Sequence, residues 1–369
     1  MIPYRSTLIT GGAGFIGSHV ARALRSTSEH ITVFDSLHPQ VHGEHAAAPA
    51  SDAGYDFVRG DIRDRAAISA CVDACRPDLV IHLAAETGTG QSFDKVGQYC
   101  EVNVQGTAHL ADAVRRSIGD GRCRIILASS RAIYGEGAYR DGQGCLVVPP
   151  PRPADAMAAG RFALSDAAGH PLAPIATPED VSPNPASIYA STKLMQEYIL
   201  TQALEGTRAD VAILRLQNVY GPGQSLHNAY TGILSIFSHR ICDGTLPLDI
   251  YEDGEIVRDF VYIDDVVRAF MLAADIENVP NAPINIGTSG RVTILDAARL
   301  LLAEFGQSPD AYRISGRYRV GDVRHARADI TRAKTLLGWA PDIDIGAGIA
   351  KLAAWVRTAS PRGFDRDQR

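Results

Sequence analysis

Near the start of the chain, Thr10-Gly11-Gly12-Ala13-Gly14-Phe15-Ile16-Gly17 follows a short apolar run, Ser6 to Thr10, that reads as a strand. The same glycines open Gly14 to Leu24, an amphipathic stretch that reads as a helix. A strand that turns through glycines into a helix is the beginning of a βαβ unit. Gly11 permits the tight turn, Gly14 lets a pyrophosphate approach the backbone, and Gly17 lets helix and strand pack closely. Free N–H groups at the helix start, around Phe15 and Ile16, suit phosphate because the helix dipole is positive there.

The same rhythm continues. Strands are expected at Ile31 to Phe34, Asp56 to Arg59, Asp78 to Leu83, Arg124 to Ala128 and Asp210 to Leu214. Helices are expected at Asp64 to Cys75, Lys95 to Arg116, Ser187 to Leu204 and Asp264 to Ala274, with three more at Thr293 to Phe305, Ile330 to Leu337 and Ile345 to Val356. This alternation specifies an α/β fold, a Rossmann-type doubly wound parallel sheet. At 369 residues the chain exceeds one ordinary domain, which leaves room for a smaller α/β lobe. One stretch, 136–185, breaks the pattern with Pro149, Pro150, Pro151, Pro153, Pro171, Pro174, Pro178, Pro183 and Pro185. It far exceeds the usual loop of roughly 4–6 residues, so it reads as an insert, either a lid over the site or a tolerated surface excursion.

Charge and composition remove other classes. Lys plus Arg number 36 against 42 Asp plus Glu, a net charge of −6, so no overall basic field attracts nucleic acid or anionic lipid. No apolar run reaches the length of about eighteen residues that a membrane span needs, and the N-terminal residues lack the pattern of a signal peptide. Six scattered cysteines without a Cys-x-x-Cys pair are expected to be reduced thiols in a cytoplasmic protein.

Candidate site residues fall where strands end. Asp35 closes the second strand, and a carboxylate there accepts hydrogen bonds from ribose hydroxyls and repels a 2′-phosphate, so NAD is the expected cofactor. Asp61 and Ile62 are placed for the adenine edge, and Leu83-Ala84-Ala85 offers small side chains where a cofactor passes closely. His82 reads as a packed core residue. Tyr189 and Lys193 stand four residues apart on one helix face. A free phenol has a pKa of about 10, so a basic Tyr189 needs cations nearby, and Lys193 with the nicotinamide ring is the expected source. Ser130, after the fifth strand, is placed to hold a reacting oxygen beside Tyr189.

Taken together, these motifs with His82-Leu83-Ala84-Ala85, Asn103, Tyr189-x-x-x-Lys193 and Arg215-Leu216-Gln217-Asn218-Val219-Tyr220-Gly221-Pro222 resemble the extended short-chain dehydrogenase/reductases, in their nucleotide-sugar epimerase branch. The segments Asp253-Gly254, Arg258-Asp259-Phe260-Val261, Arg319-Val320-Gly321-Asp322 and Gly338-Trp339-Ala340-Pro341 extend the resemblance almost to the end of the chain. It implies catalysis by Ser130, Tyr189 and Lys193, contact of Asn103 with NAD, and a nucleotide-diphosphate sugar held by Ser130, Asn218, Arg258 and Arg319. It also implies an NAD-binding part, 1–219 with returning segments 259–288, a substrate lobe from 220–258 and 289–360, a tail 361–369, and a homodimer. The dimer is expected to pair the Lys95 to Arg116 and Ser187 to Leu204 helices with their counterparts. Arg215 reads as structural and Trp339 as core.

Departures from the family pattern narrow the reading. Related 4,6-dehydratases carry an Asp-Glu pair where this chain has Arg131-Ala132, so water elimination is disfavoured. Asp35 disfavours an NADPH-dependent keto-sugar reductase, and a non-catalytic dinucleotide sensor has no use for Ser130, Tyr189 and Lys193. Gly223-Gln224-Ser225-Leu226 and Tyr230-Thr231-Gly232 are most similar to dTDP-L-rhamnose 4-epimerases. Some of those have a Cys-Pro-x-Cys-Gly run in the insert. This chain has Ser165-Asp166-Ala167-Ala168-Gly169, so no metal is expected.

Overall fold

The computed structural model describes residues 4–359 apart from 44, 45, 50–52, 120, 227–231 and 281. The Tyr230-Thr231 pair and the tail 361–369 lie outside the described residues. Seven strands form one sheet, in the order Ile284–Ile286, Ala209–Leu216, Cys123–Ser130, Leu79–His82, Tyr4–Thr10, Ser28–Asp35 and Asp56–Arg59. Every neighbouring pair is parallel. The chain starts mid-sheet, winds outward to Asp56–Arg59, then returns to the other side of Tyr4–Thr10. This reversal leaves a crevice at the carboxyl ends of Tyr4–Thr10 and Leu79–His82.

Consecutive strand residues point to opposite faces, and both faces are covered. Leu8, Phe34, Val80 and Ile125 pack on one face against Ile68 and Val72, Leu110 and Val114, and Leu200. These come from helices Arg65–Cys75, Gly106–Ser117 and Ile188–Ala203. Ile9, Val33, Ile81 and Ile126 pack on the other face against Val20, Leu24 and Phe270, from helices Phe15–Leu24 and Ile263–Asp275. Trp339 is fully buried there and donates its indole N–H to the Asp265 carbonyl at 2.9 Å. A further core joins Phe237 and Ile241, Leu301 and Leu302, and Leu352 and Val356 from helices Ile233–Cys242, Ile294–Glu304 and Ile345–Ala359.

Two segments differ from the sequence expectation. In place of one helix from Lys95 to Arg116, the chain forms Val96–Tyr99, a wide π turn over Cys100–Gln105, and Gly106–Ser117. The buried Asn103 inside that turn accepts the Glu86 N–H at 2.7 Å and donates to the Glu86 carbonyl and the Thr192 hydroxyl. Tyr99 donates to the Thr87 carbonyl, so the widened turn is pinned to 86–88.

The insert is a strap packed beside the crevice. Strands Tyr139–Arg140, Leu146–Val147 and Ala173–Pro174 make a small antiparallel sheet, with the helix Ala154–Ala158 between. Buried Arg152 reaches Glu136 at 3.1 Å and both carboxylate oxygens of Glu252 at 2.9 Å. Arg324 also binds Glu252, at 2.9 Å, and its backbone N–H donates to Glu136. Thr177 donates its N–H to Arg327 and accepts from Asp329. These bonds tie the insert to 252–329, and none of its residues lines the main cleft.

Candidate active site

A cleft of about 450 Å³ lies at the carboxyl edge of the sheet. Its floor is the glycine loop, and close packing explains the residue types. Gly11 has φ +71°, and a Cβ there would lie 2.6 Å from the Ala84 nitrogen. A Cβ on Gly17 would lie 2.5 Å from both the Gly11 oxygen and the Gly12 Cα. Loop, helix and the Leu83-Ala84-Ala85 strand end are thus in backbone contact. Gly14 precedes helix Phe15–Leu24 without any side chain capping the helix N–H groups.

Asp35 is buried at the end of its strand and locks the loop to it. Its Oδ2 accepts the Ala13 N–H at 3.0 Å and its Oδ1 the Leu37 N–H at 2.8 Å. Asp61 lines the cleft beside Ile62, and hydrogen bonding from Arg63 holds its carboxyl below the ordinary range despite partial burial.

Tyr189 and Lys193 enter the cleft from helix Ile188–Ala203, which Ser187 caps by accepting the Ala190 N–H at 3.2 Å. Ser130 ends its strand, accepts the Ala132 N–H at 3.1 Å and lines the cleft together with Tyr189. Burial pushes the Tyr189 phenol up, and neighbouring Ser130 and the Arg131 charge pull it down. Arg131, a cation the sequence reading did not single out, also acts on the phenol. Lys193 lines the cleft with Tyr189 and donates to Gln196 Oε1 at 2.6 Å. Gln196 donates to Thr107 at 2.7 Å, Thr107 pairs with His82 Nε2 at 2.9 Å, and Thr10 pairs with His82 Nδ1 at 2.7 Å. Burial, then Lys193, brings His82 down to about 3, so it is a neutral core histidine. Burial holds Lys193 down to about 7, with Glu197 opposing.

Below this layer, Glu197 grips Arg215 at 2.7 and 3.0 Å and accepts the Ser129 hydroxyl, while Arg215 also reaches Tyr134. Arg215 is structural.

The residues singled out from sequence therefore divide. Gly11, Gly14, Phe15, Ile16, Gly17, Asp35, Asp61, Ile62, Leu83, Ala84, Ala85, Ser130, Tyr189, Lys193 and Asn218 all line the cleft. Asn103 sits behind its wall, shaping 86–88. Arg258 is buried and held by Asp322 at 2.5 Å and by the carbonyls of Val257 and Val323. Arg319 is exposed and stacks on Tyr251, 5.0 Å from the ring centre. Neither arginine is among the residues lining the cleft. Sequence reasoning passed over Arg131 and Gln217, which do line it. For Arg131 the only signal was its place directly after Ser130.

The sequence profile of the NAD dependent epimerase/dehydratase family matches residues 7–287. The chain belongs to that family. A dTDP-L-rhamnose 4-epimerase of Burkholderia thailandensis is 39% identical over 356 residues, 96% of each chain. Among solved structures, UDP-glucose 4-epimerase of Thermotoga maritima with UDP-glucose is 29% identical, with TM-score 0.77 over 96% of this chain and 99% of that one. MoeE5 in complex with UDP-glucuronic acid and NAD is 28% identical, with TM-score 0.75 over the same shares. The chain is thus an NAD-dependent enzyme of the short-chain dehydrogenase/reductase type, with the Rossmann-like sheet expected. Its residues fit NAD. The glycine floor gives a dinucleotide room, and buried Gln217 Oε1 and Asn218 Oδ1 find no donor among the described residues. Unpaired buried acceptors are rare without a ligand or water to meet them. No helix among the described residues is long and apolar enough to cross a membrane.

Proposed function

We propose that this enzyme is a nucleotide-sugar 4-epimerase acting through a transient 4-keto sugar, with dTDP-L-rhamnose or a related dTDP- or UDP-hexose as substrate. The observation that carries this reading is that Ser130, Tyr189 and Lys193 line one cleft, with Arg131-Ala132 after Ser130, where no carboxylate follows. The glycine loop with Phe15 and Ile16, Asp35, Asp61, Ile62, Leu83, Ala84, Ala85 and Lys193 would hold NAD, which supplies the acceptor and donor of the C4 hydride when bound.

In this reading Tyr189 takes the proton of the C4 hydroxyl as the carbon is oxidised, and Ser130 fixes the oxygen by hydrogen bonding. After the keto sugar turns over in the cleft, the Tyr189 proton returns to the C4 oxygen on the opposite face. Asn218 contacts the substrate. Residues 1–219 with 259–288 serve the cofactor, and 220–258 with 289–360 serve the sugar nucleotide. The lack of a carboxylate after Ser130 speaks against the 4,6-dehydratase, and Asp35 against the keto-sugar reductase. Incubating the enzyme with a panel of UDP-, dTDP- and GDP-hexoses tests this directly. A 4-epimer is expected from at least one of them, and a 4-keto-6-deoxy product would overturn the reading.

We also infer a homodimer. Val96, Met195 and Tyr198 leave large exposed apolar side chains on the two segments expected to pair with a second copy. Sedimentation at twice the chain mass is expected, and a monomer at micromolar concentration would contradict it. Six cysteines without a disulfide suit a reducing compartment, and we place the reaction in the cytoplasm.

A further inference from the structure

Lys193 is the one buried lysine of the four in this chain, since Lys95, Lys334 and Lys351 are exposed. A cation in a desolvated cleft keeps its proton more readily where an acceptor meets it. Here that acceptor is Gln196 Oε1, at 2.6 Å, on a side chain that is fully buried. The polarity of the bonds behind it follows from the donors each group carries. Lys193 can only donate, so the Gln196 amide turns its oxygen to Lys193 and its nitrogen to Thr107 Oγ1, 2.7 Å away. The Thr107 hydroxyl has one hydrogen and gives it to the Asn103 carbonyl at 2.5 Å. Its oxygen therefore accepts from both Gln196 and His82 Nε2. His82 thus carries its hydrogen on Nε2, and its bare Nδ1 accepts from the Thr10 hydroxyl at 2.7 Å. This network, fixed at both ends, runs from the strand end before Gly11 to the ammonium.

We propose that Gln196 is a positioning residue that acts through Lys193, its amide oxygen holding one ammonium hydrogen so that the charged group stays fixed at the cleft wall. This rests on the reading in which Lys193 serves the cofactor beside Tyr189. Thr107 and His82 keep the amide in the orientation that presents oxygen, whereas a freely turning amide would also present its nitrogen and repel the ammonium. The other titratable groups around Lys193 are Glu197 on its own helix, Tyr189 one turn before it, and His82 on strand Leu79–His82. Helix Gly106–Ser117 presents the uncharged Thr107. Glu197 is spent on Arg215 and Ser129, and His82 is neutral, so neither replaces what Gln196 supplies.

The test is a titration of Lys193 in the NAD-loaded enzyme, read without substrate from the Cε resonances of ¹³C-labelled lysine. Four lysines give four signals, and Lys193→Met assigns the one concerned. Burial holds Lys193 down to about 7, which puts the midpoint in an accessible range. A hydrogen bond to a charged group is worth about 1–2 pKa units, so Gln196→Met, similar in size but without the oxygen, should lower the midpoint by that much. That is a ~10- to 100-fold fall in the ratio of ammonium to amine at a fixed pH. Gln196→Glu keeps an oxygen in place and adds charge, so it should raise the midpoint instead, by about 1–3 units. A residue that only fills space would not produce opposite shifts in two variants of its own size. An unchanged or raised midpoint in folded Gln196→Met overturns the proposal. Should that variant not fold, an unchanged midpoint in Gln196→Glu overturns it equally. Because no turnover is measured, these shifts in an enzyme that epimerises no sugar would refute the function and leave this inference standing.

Discussion

Gly17→Ala places one methyl group where three backbone atoms already stand. Its Cβ would lie 2.5 Å from the Gly11 oxygen, 2.5 Å from the Gly12 Cα and 2.8 Å from the Gly12 carbonyl carbon, against ordinary contact from 3.4 Å. None of these atoms can swing aside as a side chain would. Helix Phe15–Leu24 must therefore move by nearly 1 Å, although Val20 and Leu24 anchor it in the core with at most 1% exposure. Overpacking of this kind costs about 1–3 kcal/mol, and the displacement opens the floor proposed to hold NAD. Bound NAD at a hundred times its Kd stabilises a protein by about 2.7 kcal/mol. Gly17→Ala should lower the melting temperature and lose most of that NAD-dependent gain. Gly142→Ala, whose added methyl meets nothing within 4 Å, should change neither. Melting curves with and without NAD, with cofactor content after purification, decide it. A Gly17→Ala protein that melts with the wild type and retains full NAD would refute the packing argument.

Tyr189→Phe should lower kcat by about 10²–10⁴-fold while leaving NAD content intact, and wild-type turnover in that variant would remove Tyr189 as the base. Denaturing the purified enzyme should release NAD(H) in preference to NADP(H), and recovery of NADP(H) would overturn the role given to Asp35. Lys193 is held at about 7 by burial, below its ordinary 10.5. The unfolded chain binds more protons between those values, so this residue makes stability rise with pH across the window, by up to about 1.4 kcal/mol per pH unit. Lys193→Met should flatten that slope in urea titrations, and equal slopes would refute the assignment.

What the sequence discloses follows the range of the forces involved. Strands such as Tyr4–Thr10 and Cys123–Ser130 announce themselves because both sheet faces are buried and their apolar runs are continuous. The glycine loop is legible because its residue types answer backbone contacts within a few positions. Partnerships across long separations are hidden. Nothing near Arg258 reveals that Asp322 claims it, or near Arg152 that Glu252 does, a hundred residues away. The insert has no period to read because its strands are two residues long and its hold is ionic. Asn103 looks like a ligand-facing residue in sequence, yet its amide is spent on Glu86 and Thr192.

The central claim is that the hydrogen removed from C4 is the one returned to C4, with inversion. A nucleotide sugar that this enzyme turns over, carrying deuterium at C4, isolates that claim when the product is read by NMR. The 4-epimer is expected to keep its deuterium at C4, with no solvent hydrogen incorporated at C4 or C5. Deuterium found at C6 in a 4-keto-6-deoxy product, or washed out to solvent, would contradict it.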